Sequence, residues 1–223
     1  MDNLIDAFFN ADALQQSWPY LVHGIVLTLG LSLAIVPASM ACGLLVAALF
    51  TLRVRPLNAA LMVYIDFFRS FPPLVLIIFI FFGMPFLGVR LSELPAFTLG
   101  AVLNGSAFFG EIFRAGIVSV PKGQLEAARS TGLSLVQAMR WVVLPQAIRN
   151  VLPPLTSNAI ELIKSTSLAS IVAIPELLRN ARIAQGATFS PTPLVAAALI
   201  YLVILWPAVR LVSRMDRKIL VGR

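Results

Sequence analysis

The sequence predicts an all-α integral membrane protein, one bundle of five transmembrane helices with a helical cytoplasmic loop. Apolar residues make up 59% of the 223-residue chain and charged residues only 12%, whereas a soluble domain carries about 25% charged. The mean hydropathy is +0.90. Long apolar stretches recur between short polar ones, and none shows the strict alternation of a barrel strand. Backbone in lipid must satisfy its own hydrogen bonds, so stretches of this kind are helices.

Residues 1–19 are polar and mildly acidic through Asp2, Asp6 and Asp12, and are expected to form an external N-terminal segment. No basic run precedes the first apolar stretch, so no cleavable signal peptide is expected. Residues 20–223 read as a single transmembrane domain. The first span, 20–52, is long enough at ~1.5 Å per residue to cross a ~30 Å hydrocarbon core, and Pro37 predicts a kink in it. The second, 57–83, is interrupted by Asp66, Arg69 and the pair Pro72-Pro73. The third covers 94–117, the fourth 151–174 and the fifth 193–212, with a polar loop at 120–150. Neither an internal repeat nor a low-complexity tract is present.

Five spans place the termini on opposite sides, and the bases choose between the two orientations. One side carries Arg53, Arg55, Arg114, Lys122, Arg129, Arg140, Arg149, Arg210, Arg214, Arg217, Lys218 and Arg223; the other carries Arg90, Arg179 and Arg182. The positive-inside rule then puts the N-terminus outside and the C-terminus and the 120–150 loop in the cytoplasm. The net charge of +7 is thus a topological signal rather than a mark of nucleic-acid binding. Cys42 is alone, so no disulfide forms within the chain, and the single His23 has no His/Cys cluster around it with which to hold a metal.

The loop is the longest polar break. Gly123 and Gln124 open it, and Gln124–Ala128 reads as a short helix rich in strong helix formers. Gly132 stops that helix, as glycine at a C-terminal cap does. A second helical run, Leu135–Val143, is expected to end at Leu144-Pro145. A short helix between two breakers, with small residues on its surface, suits a knob that docks into a socket on another protein.

Charges inside the spans are the other informative feature. Asp66 and Arg69, Glu111 and Arg114, and Glu161 and Lys164 are each three residues apart, so each acid shares a helical face with its base. A charge near the bilayer centre costs at least ~2.5–3.5 kcal/mol, and persists where it is paired or lines a wet cavity. Self-neutralised pairs packed in the bundle are one reading; a polar path for a charged or zwitterionic solute is the other. Two stretches favour a path. Arg69-Ser70-Phe71-Pro72-Pro73 breaks the second span, and broken backbone at membrane depth is tolerated where it lines a cavity or is buried in protein. Lys164-Ser165-Thr166-Ser167-Leu168 sets three hydroxyls and an ammonium in the fourth span. Hydroxyls can also bond back to their own helix.

The loop's spacing resembles the EAA loop of ABC importer permeases, EAA-x3-G-x9-I-x-LP, in Glu126-Ala127-Ala128, Gly132 and Leu144-Pro145, with Val142 in place of the isoleucine. The wider chain looks like the polar amino acid branch of that family. It matches in Phe68-Arg69-Ser70 before Pro72, in Gly110-Glu111-Ile112-Phe113-Arg114-Ala115-Gly116-Ile117, in Gly123-Gln124 and in Lys164-Ser165-Thr166-Ser167-Leu168. The family's commoner Arg-Gly-Thr-Pro run is here Arg69-Ser70-Phe71-Pro72, which resembles acidic amino acid permeases more. The frequent Asn-Glu pair appears as Ser157-Asn158, with the acid at Glu161 instead.

The resemblance implies a MetI-like helical fold and a bacterial inner-membrane location. It also implies a second permease chain, identical or sister, two ATPase subunits docked on the loop helix, and an external solute-binding protein. The expected activity is import of polar amino acids, acidic ones included, by alternating access. The chain lacks a G-x-x-x-x-G-K-[ST] phosphate loop, so ATP and magnesium belong to the partner ATPase, and the chain is a transport subunit rather than an enzyme. A permease for another small solute and a secondary transporter are the alternatives. Broken helices with midplane charges suit the latter as well, but it would not need the loop spacing.

Overall fold

The computed structural model describes residues 8–52 and 54–221. Asp2 and Asp6 of the N-terminal segment, and the bases Arg53 and Arg223, lie outside the described residues. All regular structure within them is helical.

Helix α1 runs Ala11–Phe50, about 60 Å at ~1.5 Å per residue, twice the hydrocarbon thickness. It therefore begins nine residues before the expected first span, with Asn10 capping it through Oδ1, which accepts from Ala13 N at 2.9 Å. Pro19, taken as the boundary, lies inside the helix, as does Pro37. Each proline lacks one N–H, and the surrounding turns carry the ladder past it.

Helix α2, Arg55–Ser70, and helix α3, Pro73–Ile78, meet at the Pro72 break with a bend of 101°. A π turn, Phe79–Gly83, and a 3-10 turn, Met84–Leu87, continue α3. Helix α4 is Glu93–Val118, helix α5 Lys122–Ser130, helix α6 Leu135–Ala138 and helix α7 Leu144–Ser165. A second π turn, Met139–Val143, joins α6 to α7. A 3-10 turn, Thr166–Val172, follows α7, then helix α8, Leu177–Thr188, and helix α9, Thr192–Val221.

The expected stop at Leu144-Pro145 does not occur. The N–H of Leu144 reaches back five residues to Met139 O, and Pro145 enters at the start of α7. The wider π turn makes the register change that a proline inside a regular ladder would force. The same device precedes Pro85, where Met84 N bonds Phe79 O.

Among the described residues, three helices are long and apolar enough to cross a membrane, α1, α4 and α9 over 192–214, or four if the bent α2–α3 pair is one span. Length and composition therefore do not yield the expected count of five. The second expected span is a broken pair. The fourth is a helix carrying Asn158, Glu161 and Lys164 that tightens into a 3-10 turn. Both elements earn their place by packing against neighbours rather than by apolar length.

Helix α4 is the centre: 56% of its most apolar window is buried, against 11% for α9. It crosses α1 at small residues. A side chain at Gly43 would meet Phe109 Cβ at 2.6 Å and Gly110 N at 2.8 Å, and one at Gly105 would meet Ser39 Oγ at 2.7 Å. Lipid tails are as apolar as leucine, so helices associate by this kind of close approach. The main core gathers Leu31, Ile35, Ile77, Phe97, Phe109, Leu155, Leu162 and Val172 around it.

Candidate functional site

The loop helix α5 has two distinct faces. Ala128 is buried, and the half-buried Leu125 packs with Met139 against Val120, Val143 and Ala147. Gly123, Glu126, Ala127 and Ser130 are exposed, at positions that share the opposite face of the helix. A side chain added at Gly123 or Gly132 would meet nothing within 4 Å. Within the chain, therefore, these glycines are not required by packing.

The ends of α5 are fixed locally. Gly132 sits at φ +90, the left-handed conformation glycine adopts without penalty, and its N–H bonds Arg129 O at 3.1 Å. Ser134 and Gln137 then form a reciprocal capping box that restarts the helix. Gln124 Oε1 accepts from Gln146 Nε2 at 3.4 Å, linking α5 to the first turn of α7, where Leu144 and Pro145 are exposed. Of the residues expected at a docking knob, Ala128 alone turns inward and serves as its anchor.

The membrane charges are arranged differently from the expected three local pairs. Glu111 and Arg114 do pair, with Arg114 Nε and Nη2 donating to the two carboxylate oxygens at 2.8 and 2.7 Å. Glu161 and Lys164 pair too, both largely exposed. Asp66 and Arg69 form no ion pair within 4 Å among the described residues; the Arg69 guanidinium lies 5.4 Å over the Phe108 ring. Arg69 instead acts electrostatically on Glu111, and Asp66 on Arg114. Arg69, in the last turn of α2, thus lies against α4, and the charges of the two helices face one another as one alternating group.

The hydroxyls after Lys164 bond back to their own backbone. Ser165 Oγ donates to Leu162 O, Thr166 Oγ1 to Ile163 O and Ser167 Oγ to Lys164 O, at 2.7 to 2.9 Å. This compensates the carbonyls where α7 tightens into the 3-10 turn. Helix α3, which follows the Arg69–Pro73 break, touches that turn, with Ile77, Ala169 and Val172 in one core cluster. Ser70 and Pro72 are exposed at the break.

Two polar groups that composition and spacing did not single out hold these elements. Asn104 Nδ2 donates to Phe68 O at 2.7 Å. Glu176 is fully buried, caps α8 by accepting from Leu178 N and Arg179 N at 2.9 and 2.8 Å, and accepts from the Tyr201 hydroxyl. A polar residue midway along an apolar span, opposite a proline-broken one, was the available signal for Asn104. For Glu176 it was an acid directly after Pro175 and before a helical run. His23 lines an open cleft of about 400 Å³ with Pro19, Tyr20, Pro175 and Asn180, away from the charged group.

A family model described as binding-protein-dependent transport system inner membrane component matches residues 39–221. The chain is 40% identical over 194 residues to the "Probable amino-acid ABC transporter permease protein YckA" of Bacillus subtilis (strain 168), covering 86% of each chain. It is 30% identical over 213 residues to the "Glutamine transport system permease protein GlnP" of Escherichia coli (strain K12), covering 94% of this chain and 97% of that one. Among solved structures, "Crystal structure of an amino acid ABC transporter with histidines" superposes with a TM-score of 0.83 at 33% identity, over 90% of this chain and 94% of that one. An inward-facing MetNI methionine ABC transporter superposes with a TM-score of 0.65 at 22% identity, over 87% and 95%, a likeness of fold.

Proposed function

The chain belongs to the family of binding-protein-dependent transport system inner membrane components, and from that membership we propose that it is the membrane-embedded permease subunit of an ABC importer of polar amino acids. The observation that carries the reading is the two-faced loop helix. Its inner face, where Ala128 is buried and Leu125 packs against Val143 and Ala147, rests on the π turn that leads into α7, and its outer stripe of Gly123, Glu126, Ala127 and Ser130 is bare and low-relief. A knob so anchored passes a push from a docked ATPase through that turn into α7.

The partners are an ATPase and an external solute-binding protein. We assign two ATPase subunits and a second permease chain, identical or sister, so that two such knobs are drawn together when the ATPases close on ATP and magnesium. The N-terminus is external and the C-terminus cytoplasmic, which places α5 beside the ATP supply. The solute path runs along Asp66, Arg69, Ser70, Pro72, Glu111, Glu161, Lys164, Ser165, Thr166 and Ser167. An amino acid's carboxylate and ammonium have partners of both signs there, and two of the three acid–base pairs are closed while the path is empty.

Reconstitution of the chain with its ATPase and binding protein in liposomes tests this. Uptake of a polar amino acid should require ATP, the ATPase and the loaded binding protein together. Uptake that continues without the ATPase would select a secondary transporter, and saturable uptake of a solute of another class in its place would reject the amino acid assignment.

A further inference from the structure

Asn104 is only 6% exposed, although it lies in the middle of an apolar helix. Its Nδ2 donates to the Phe68 carbonyl of α2 at 2.7 Å. In an unbroken helix that carbonyl would accept from the N–H of residue 72. Residue 72 is proline and has none. Phe71 leaves the helix in an extended conformation, its own N–H spent on Phe67 O. One turn earlier, the Tyr64 hydroxyl lies 2.7 Å from Ser106 Oγ and donates to Leu103 O at 3.2 Å. The last turns of α2 are therefore fastened to one turn of α4, the turn that Gly105 seats against Ser39 of α1.

We infer that Asn104 is a positioning residue: it supplies, from another helix, the donor that Pro72 withholds from Phe68, and so fixes the angle at which Arg69–Pro73 enters the solute path. The inference rests on the transport reading above. It accounts for how a helix end can be broken at membrane depth without leaving its carbonyl unmet. The same anchored turn carries Arg69, whose guanidinium lies 5.4 Å over the Phe108 ring of α4.

The test uses the assembled transporter in liposomes. Asn104→Leu keeps the size and removes the donor; Asn104→Ser is too short to reach; Asn104→Gln keeps an amide. Maximal uptake should fall about fivefold for Leu and Ser, a loss on the scale of one interhelical hydrogen bond in lipid. The half-saturating concentration of loaded binding protein should stay unchanged, and Gln should retain most of the rate. Spin labels at the exposed positions Ala60 and Phe86, in a Cys42→Ala background, report the bend directly. Their distance distribution should be narrow in the native complex and with Asn104→Gln, and broad with Asn104→Leu or Asn104→Ser. That arm needs no transport, so it remains readable even if the solute or the importer assignment fails. An unchanged distribution and unchanged uptake in an assembled Leu or Ser variant would overturn the inference.

Discussion

The Tyr201 hydroxyl of α9 donates to the buried Glu176 carboxylate at 2.9 Å, across 25 residues of sequence. The same carboxylate caps α8, while Leu177 N, next in the chain, donates to Thr28 Oγ1 of α1 at 3.1 Å. One acid thus gathers α1, α8 and α9. A hydrogen bond to a charged group contributes about 1.5–3 kcal/mol, so Tyr201→Phe should destabilise the chain by roughly that amount. Glu176→Ala should cost more, because two backbone N–H groups and a phenol lose their acceptor together. Glu176→Gln keeps one acceptor oxygen but sets an NH2 against one of the two backbone N–H groups, and should fall between Tyr201→Phe and Glu176→Ala. Melting of the purified complex in detergent orders them, and an alanine variant as stable as the native chain would show that water replaces the carboxylate.

The two faces of α5 make opposite predictions for substitutions four and five residues apart from Gly123. Gly123→Leu and Ala127→Leu enter open space on the bare stripe. Both should leave folding and insertion intact and reduce the ATPase stimulation by loaded binding protein about tenfold or more, the factor expected when about 1.4 kcal/mol of docking is lost. Glu126→Lys should abolish stimulation while leaving membrane insertion unchanged. Ala128→Leu should instead lower stability by about 1–3 kcal/mol through overpacking, since Ala128 is buried. ATPase assays on the complex, with melting as the second readout, separate the two faces.

The loop was legible because its signals are local. Gly132 takes the left-handed cap its position called for, and Ser134 with Gln137 forms a box within one helical turn. Pro145 misled for a related reason: proline marks the end of a regular ladder, and a π turn, which leaves no mark in composition, carries the chain past it. The membrane charges were legible as residues but not as partners. Spacing of three pairs Glu111 with Arg114, yet Arg69 on the same spacing lies over Phe108 of α4, a tertiary contact, instead of pairing with Asp66. Asn104 and Glu176 act on residues 36 and 25 positions away, a separation that helical periodicity does not encode.

Close approach of α1 and α4 makes Gly43 a sensitive position. A side chain there would meet Phe109 Cβ and Gly110 N, the second of which is backbone and cannot rotate aside. Gly43→Ala should therefore separate the helices locally and cost about 1–3 kcal/mol. Gly30 lies on the same helix with nothing within 4 Å of an added Cβ. Gly30→Ala should be neutral or slightly stabilising, since alanine is the better helix former by roughly 1 kcal/mol. Comparison of the two variants by melting temperature isolates the packing from the propensity, and equal effects would remove the crossing from the account of stability.

Lys164 and Arg69 are expected to matter to solute more than to folding. The Glu161–Lys164 pair is exposed within the chain, and pairs of that kind contribute only about 0–1 kcal/mol to stability. The hydroxyls beside Lys164 are already satisfied by their own helix and do not depend on its ammonium. Lys164→Ala should thus leave melting nearly unchanged and reduce amino acid uptake at least about tenfold, if one charged contact to the solute carboxylate of about 1.5–3 kcal/mol is lost. Arg69→Ala should do the same, whereas Arg69→Lys should recover part of the rate, keeping the charge but stacking less well on Phe108. Uptake measured at equal expression checks both. Native rates with either alanine would show that the charges only neutralise one another, and that the solute passes by a different face of the bundle.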